Sequence, residues 1–209
     1  MEFYDQDYFE RGIETDKSCY QNYRWIPELT IPMAMTIIDY LDIKAGQRIL
    51  DFGCAKGYLV KAFRWLRREA WGVDISSYAL CNCDFEVKDF CMTPKNYLNR
   101  TKNCVDIVIA KDVFEHILLS DLSNIINDLI AIGDLIFAVI PLGDSGLYRA
   151  PANNLDQSHI TCLNEKEWKS FFRNCNLRVE NFTFRVDGIK DSYYDRYPTA
   201  HGFFTLKRR

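Results

Sequence analysis

Apolar positions recur along the chain at two spacings, helical and strand-like, and the two take turns. In residues 31–42, IPMAMTIIDYLD, Met33, Ile37 and Leu41 fall on one helical face. After the turn KAGQ, RILDFG reads as a buried strand. Leu59, Phe63 and Leu66 return at helical spacing in 58–68. AWGVDIS predicts a second strand, DFEVKDF a third, and CVDIVIA, residues 104–110, a fourth. The next helix opens at Ser120 or Asp121 and closes at Gly133, with Leu122, Ile125, Ile126, Leu129 and Ile130 apolar. DLIFAVIPL is a fifth strand. Residues 164–175 form a further helix, in which Asn164 and Glu167 have capping-box spacing. LRVENFTFRV and HGFFTLKRR alternate like an antiparallel pair at a sheet edge.

This alternation predicts an α/β fold: a doubly wound sheet of about seven strands, mostly parallel, with an antiparallel strand at the C-terminal edge. The chain has 209 residues, of which 31–209 are expected to make one domain. Residues 1–30 precede it and are rich in aromatics: Tyr4, Tyr8, Phe9, Tyr20, Tyr23 and Trp25, with Arg24 among them. That segment is expected either to pack over the sheet as a flap or to cover a ligand as a lid, with Tyr23 and Arg24 as contacts. Residues 142–163 are the least regular stretch. They leave the carboxyl end of the fifth strand, where open α/β sheets bind ligands.

Composition narrows the classes. The net charge is −3 and no basic run is present, so no nucleic-acid partner is expected. No stretch approaches the roughly 18 apolar residues of a membrane helix, and the acidic N-terminus is not a signal peptide. A cytoplasmic chain with reduced thiols follows as the expectation. Among the eight cysteines, Cys81, Cys83, Cys91 and Cys104 lack CxxC spacing and a nearby histidine. They read as buried small residues, and no metal is expected.

The chemistry concentrates after the first strand, in Asp51-Phe52-Gly53-Cys54-Ala55-Lys56-Gly57. A glycine turn between strand and helix lets backbone approach a ligand. Asp74 ends the second strand, 21 residues after Gly53, where an acid accepts from ribose hydroxyls. A dinucleotide fingerprint would need glycines where Ala55 and Tyr58 stand. Asp51 suits a cationic amino group and repels phosphate, which favours S-adenosylmethionine. Cys54 has no base beside it and reads as packing.

RILDFGCAKGYL resembles the first motif of class I S-adenosylmethionine-dependent methyltransferases, and VDIVIAKDVFEHI resembles their fourth, including the Glu115-His116 pair. VDIS and VKDF are similar to their second- and third-strand motifs. The resemblance runs from about residue 30 to the end. It implies a Rossmann-like fold, with S-adenosylmethionine as cofactor held by Asp51, Gly53, Cys54, Gly57, Asp74, Ile75, Asp89, Phe90 and Lys111. A D-x-x-H pattern after the fifth strand, here Asp156 and His159, occurs in similar enzymes that modify sugars and natural products. His159 is the first candidate for a base or acceptor ligand and His116 the second; a loop-stabilising hydrogen bond is the alternative for His159. Tyr148, Arg149 and Asp156 join them as acceptor contacts. The expected reaction is methyl transfer to a small polar acceptor such as a sugar, nucleotide-sugar or natural product. A non-catalytic scaffold subunit and a nicotinamide-dependent oxidoreductase are the rival classes.

Overall fold

The computed structural model describes residues 3–100 and 105–209. Cys104 therefore lies outside the described residues. The chain divides into two units, Met1–Val105 and Asp106–Arg209.

In the first unit, α1 (Gln6–Glu10) is capped by Asp5, whose side chain accepts from Tyr8 N–H at 3.1 Å. Helix α2 (Pro27–Tyr40) starts earlier than periodicity predicts, because Pro27 sits at its first position, where a missing N–H is harmless. It is followed by β1 (Arg48–Phe52), α3 (Tyr58–Trp65), β2 (Glu69–Val73) and α4 (Ser77–Cys81). Strand β3 is only Cys91–Met92, and α5 is Pro94–Arg100. β1 pairs in parallel with β2, and β2 with β3. DFEVKDF is not a strand: it is a turn closed by a 3-10 helix, Lys88–Phe90. The Asp84 side chain accepts from Glu86 N–H at 3.1 Å and bends the segment.

The second unit carries β4 (Val105–Lys111), α6 (Leu119–Ile132), β5 (Gly133–Pro141), β6 (Gly143–Asp144) and β7 (Leu147–Tyr148). Then come α7 (Glu165–Asn174), β8 (Leu177–Thr183), α8 (Asp191–Arg196) and β9 (His201–Arg208). The predicted capping box of α7 is formed. Helix α6 starts at Leu119, without a side-chain cap at Leu118. Residues 142–163, read as irregular, hold the β6-β7 hairpin and a 3-10 helix, Pro151–Asn154.

Seven strands follow the sheet order β3-β2-β1-β4-β5-β9-β8, the doubly wound topology expected. The reversed strand is β9, antiparallel to both β5 and β8, so it lies one place in from the edge. Its buried run from His201 to Leu206 reflects that position. Helix α3 packs on β2, α6 on β5 and α7 on β8. Phe63, Phe137, Trp168, Phe172, Phe203 and Phe204 are among the largest fully buried side chains. Among the described residues no helix is long and apolar enough to cross a membrane.

Candidate functional site

The first unit builds a backbone cradle at the end of β1. Gly53 and Gly57 have φ of 83° and 77°, and Ala55 between them has φ 48°. This left-handed path turns N–H groups inward, and glycine adopts it at least strain. Gly53 and Cys54 N–H both donate to Val73 O, at 2.8 and 3.1 Å, tying the turn to the end of β2. Asp74 completes the tie: Oδ2 accepts from Ala55 N–H at 2.7 Å and Oδ1 from Ser76 N–H at 2.8 Å. A carboxylate has about four lone-pair sites on its two oxygens, so a group that holds the loop can also receive a ribose hydroxyl. Asp51 is buried within β1. Ile75 is exposed at 69% beside Asp74, an apolar surface suited to a nucleobase.

Gly57 also solves a packing problem. A Cβ there would lie 2.8 Å from both Cys83 Sγ and Cys91 Sγ. Cys54, Cys83 and Cys91 are buried together under the loop. A hydrogen bond with Cys91 favours the Cys54 thiolate, but burial and the nearby Asp51 and Asp74 outweigh it and push the thiol up to about 11. Its burial and raised thiol fit the packing role that the sequence indicates for Cys54.

Two predicted cofactor contacts sit elsewhere. Asp89 and Phe90 precede β3, on the amino side of a strand whose partner positions are Gly72 and Val73. Asp89 is exposed, and Phe90 lies under the Arg64 guanidinium at 3.3 Å. The resemblance of VKDF to a strand-end motif is thus corrected: Met92 and Thr93 occupy the carboxyl end of β3. Misplacing the strand by several residues moved its acid to the wrong end.

The aromatic segment docks onto the cradle. Tyr8 and Phe9 are buried with Ala79, and Tyr4, Tyr20, Tyr23, Ala55 and Tyr78 pack around them. Ser76 Oγ donates to Tyr4 O at 2.6 Å. The Lys56 ammonium, 7% exposed, pairs with Glu10 and donates to Tyr23 O at 2.9 Å. Tyr78 OH donates to Glu10 at 3.1 Å. Burial, then the field of Asp51, raises the Tyr23 phenol above its usual range. Arg24 is exposed. The latch residues Lys56 and Glu10 escaped the sequence reading, although a lysine inside the GxxxG turn was their visible signal.

The second unit gathers a different set. Residues 158–161 are stitched to 115–117: Ile160 and Thr161 N–H donate to Glu115 O at 3.0 and 2.9 Å, and Thr161 Oγ1 to Ile117 O at 2.7 Å. The His116 and His159 rings meet edge to face with centroids 4.6 Å apart. Tyr148 touches His159 at 5.1 Å, and its hydroxyl donates to Thr161 O. His159 Nε2 is 4.0 Å from both Glu115 Oε1 and Asp156 Oδ2, and His116 Nε2 is 4.0 Å from Glu115 Oε1. Burial, reinforced by His159, pulls His116 down to about 4; burial also lowers His159. Both imidazoles are neutral near pH 7. Glu115 is fully buried, and burial followed by the charge of Asp112 raises its carboxyl well above the usual range. Neither of its oxygens has a hydrogen-bond partner among the described residues.

Arg149 and Lys111 are both engaged in ion pairs. Arg149 holds Asp144 at 2.7 Å, Glu165 at 2.9 Å and Thr199 O at 3.0 Å, clamping the hairpin to α7. Lys111 pairs with Asp112 at 2.6 Å, and Lys190 with the same carboxylate at 2.9 Å. Burial alone would raise Asp112, but these two ammoniums hold it well below the usual carboxylate range.

A family model described as "Methyltransferase domain" matches residues 32–181. Phosphoethanolamine N-methyltransferase 1 of Triticum aestivum is 33% identical over 95 residues, which cover 38% of this chain and 18% of that protein. The match thus spans under a fifth of the curated relative's length. Among solved structures, mitomycin 7-O-methyltransferase has a TM-score of 0.63 at 12% identity, covering 95% of this chain and 66% of that one. An S-adenosylmethionine-dependent methyltransferase from Archaeoglobus fulgidus has a TM-score of 0.61 at 15% identity, covering 84% and 93%. These likenesses bear on the fold.

Proposed function

The chain belongs to the methyltransferase-domain family, with S-adenosylmethionine as its cofactor, and on that footing we propose that it methylates a small polar acceptor. The observation that carries this reading is the cradle: two left-handed glycines after β1, tied through Asp74 to the end of β2. It offers N–H groups and a carboxylate but no pyrophosphate-binding glycine at residue 55. Asp51 and Asp74 would hold the cofactor's ammonium and ribose, and Tyr23 would close over them.

Methyl transfer from a sulfonium needs alignment more than activation. An oxygen or nitrogen acceptor also needs its proton removed near neutral pH. His159 and His116, whose rings are held by Asn153 O and Ser158 Oγ, are the candidates for that role. The mitomycin enzyme's name indicates a natural product as its acceptor, and the wheat relative's a phosphorylated amine. Both support a small polar acceptor here. We place the chain in the cytoplasm, where the seven free cysteines among the described residues would stay reduced.

The test is calorimetry with S-adenosylmethionine, S-adenosylhomocysteine and NAD, followed by methyl-transfer assays on sugars, nucleotide-sugars and amines. Binding of both sulfur ligands, with turnover of at least one acceptor, is expected. Binding of NAD alone would sink the reading.

A further inference from the structure

We propose that Glu115, His116 and His159 form a binding site for one divalent transition-metal ion. The inference goes beyond methyl transfer and stands on the geometry of the second unit alone. The three offer one carboxylate oxygen and two imidazole nitrogens, all within 4.8 Å of one another.

The hydrogen bonds around the rings fix which nitrogens carry the protons. Ser158 Oγ has one proton and donates it to Asp156 Oδ1 at 2.5 Å. It therefore accepts from His116 Nδ1, 2.7 Å away. His159 Nδ1 lies 2.7 Å from Asn153 O, a carbonyl that only accepts, so this nitrogen also carries its proton. Both rings thus present Nε2 lone pairs. Each Nε2 is 4.0 Å from Glu115 Oε1. The Glu115 carboxyl, fully buried and without a hydrogen-bond partner among the described residues, faces both rings. A cation seated among the three would offset the cost of burying it.

The surroundings are those of a ligand set. Metal-bound histidines ordinarily donate their other ring N–H to a carboxylate, a carbonyl or water, which fixes the tautomer and orients the ring. His159 does this through Asn153 O, and His116 through Ser158 and then Asp156. Bond lengths of about 2.0–2.2 Å place neighbouring donors roughly 3–3.5 Å apart, so each imidazole–carboxylate pair needs to close by about 0.5–1 Å and the whole set by less than about 2 Å. Two imidazoles and one carboxylate suit zinc, iron, cobalt or manganese better than magnesium, which prefers an all-oxygen shell. Three protein ligands leave coordination positions open for an acceptor hydroxyl or water; with the ion bound, the imidazoles are its ligands rather than bases, and the ion itself would raise that group's acidity. The buried thiols Cys54, Cys83 and Cys91 are the competing soft site, and the test separates the two.

The 209-residue chain, freed of metal by chelation, is titrated with zinc(II), cobalt(II) and magnesium(II) in the absence of cofactor and acceptor. Expected are one zinc or cobalt ion per chain and cobalt absorption without a thiolate charge-transfer band. Affinity should fall at least tenfold in Glu115→Gln and in His159→Gln. Ser158→Ala, which removes only the bridge behind His116, should also weaken binding by roughly tenfold or more. Circular dichroism checks that each variant is folded; if the first two are not, the Ser158→Ala result decides. Failure of the folded wild type to bind zinc or cobalt overturns the proposal. So does binding of magnesium alone, a thiolate band, or affinity indifferent to the folded variants. Methyl transfer enters none of these readouts, so this proposal and the methyltransferase reading fail separately.

Discussion

The cradle after β1 and the histidine cluster of residues 115–159 are both polar, and they treat polarity in opposite ways. In the cradle, Asp74 is met by N–H groups from Ala55 and Ser76, and the turn is closed by Val73 O. In the cluster, Glu115 has no hydrogen-bond partner among the described residues, and two Nε2 lone pairs face it. A satisfied carboxylate holds a shape ready for a ligand. An unsatisfied one, kept buried by Ile160 and Thr161 on its own backbone carbonyl, stores unused binding capacity.

The contrast is sharpest in kinetics. His159→Ala should lower turnover on any acceptor found by roughly 10²–10⁴-fold, while the dissociation constant for S-adenosylmethionine stays nearly constant. Single-turnover assays and calorimetry on the same preparation check this. Equal losses in both would mean the two regions do not divide the work. Gly57→Val probes the other side. Its φ of 77° and the two sulfurs 2.8 Å from a new Cβ leave no room for a branched side chain. A stability loss on the order of 2–4 kcal/mol is expected, read from the urea midpoint, together with lost cofactor binding.

Asp74→Ala should weaken cofactor binding by about 1.5–3 kcal/mol, since it removes charge-assisted contacts. Asp74→Asn should do less harm, because the amide oxygen still accepts from Ala55 N–H. Calorimetry that found both variants at wild-type affinity would put the cofactor elsewhere. The smallest effect concerns pH. His201 is buried at the start of β9, and burial, then Lys190, pull it down to about 3. The unfolded chain takes up this proton near pH 6.5 and the folded chain resists it. His201 therefore contributes stability above pH 6.5 that is lost as pH falls toward 3, by up to about 2 kcal/mol at pH 5. Denaturation of wild type and His201→Gln at pH 7.5 and 5 should show a smaller decline in the variant.

Long periodic segments were legible in the sequence, and short ones were not. β1, β4 and β5 carry enough consecutive apolar residues to declare themselves. β3 is two residues long, too few for any period, and the alternating DFEVKDF beside it drew the prediction away. That error carried Asp89 with it. The hairpin in 142–163 is fixed by side chains, with Asn154 Oδ1 accepting from Tyr148 N–H and Arg149 clamping Asp144. Periodicity does not see such bonds. Gly53, Gly57 and Asp74 were legible because a glycine turn has a local cause. The partnership of Glu115 with His159 was not, because it joins residues 44 positions apart through Ile160 and Thr161 N–H.

The Lys56 latch bears on where the protein can be cut. A boundary at residue 30 would pass through α2, which begins at Pro27. A fragment starting there would also keep Lys56 and lose Glu10, the Tyr23 carbonyl and the ring of Tyr23 above it. It would keep the Ser76 hydroxyl and lose Tyr4 O, and it would uncover Tyr78 and Ala79. Such a truncation does not open a lid on an intact enzyme. It leaves an orphaned ammonium in the middle of the glycine turn, so a truncation that keeps the turn's contacts must reach back to Tyr4.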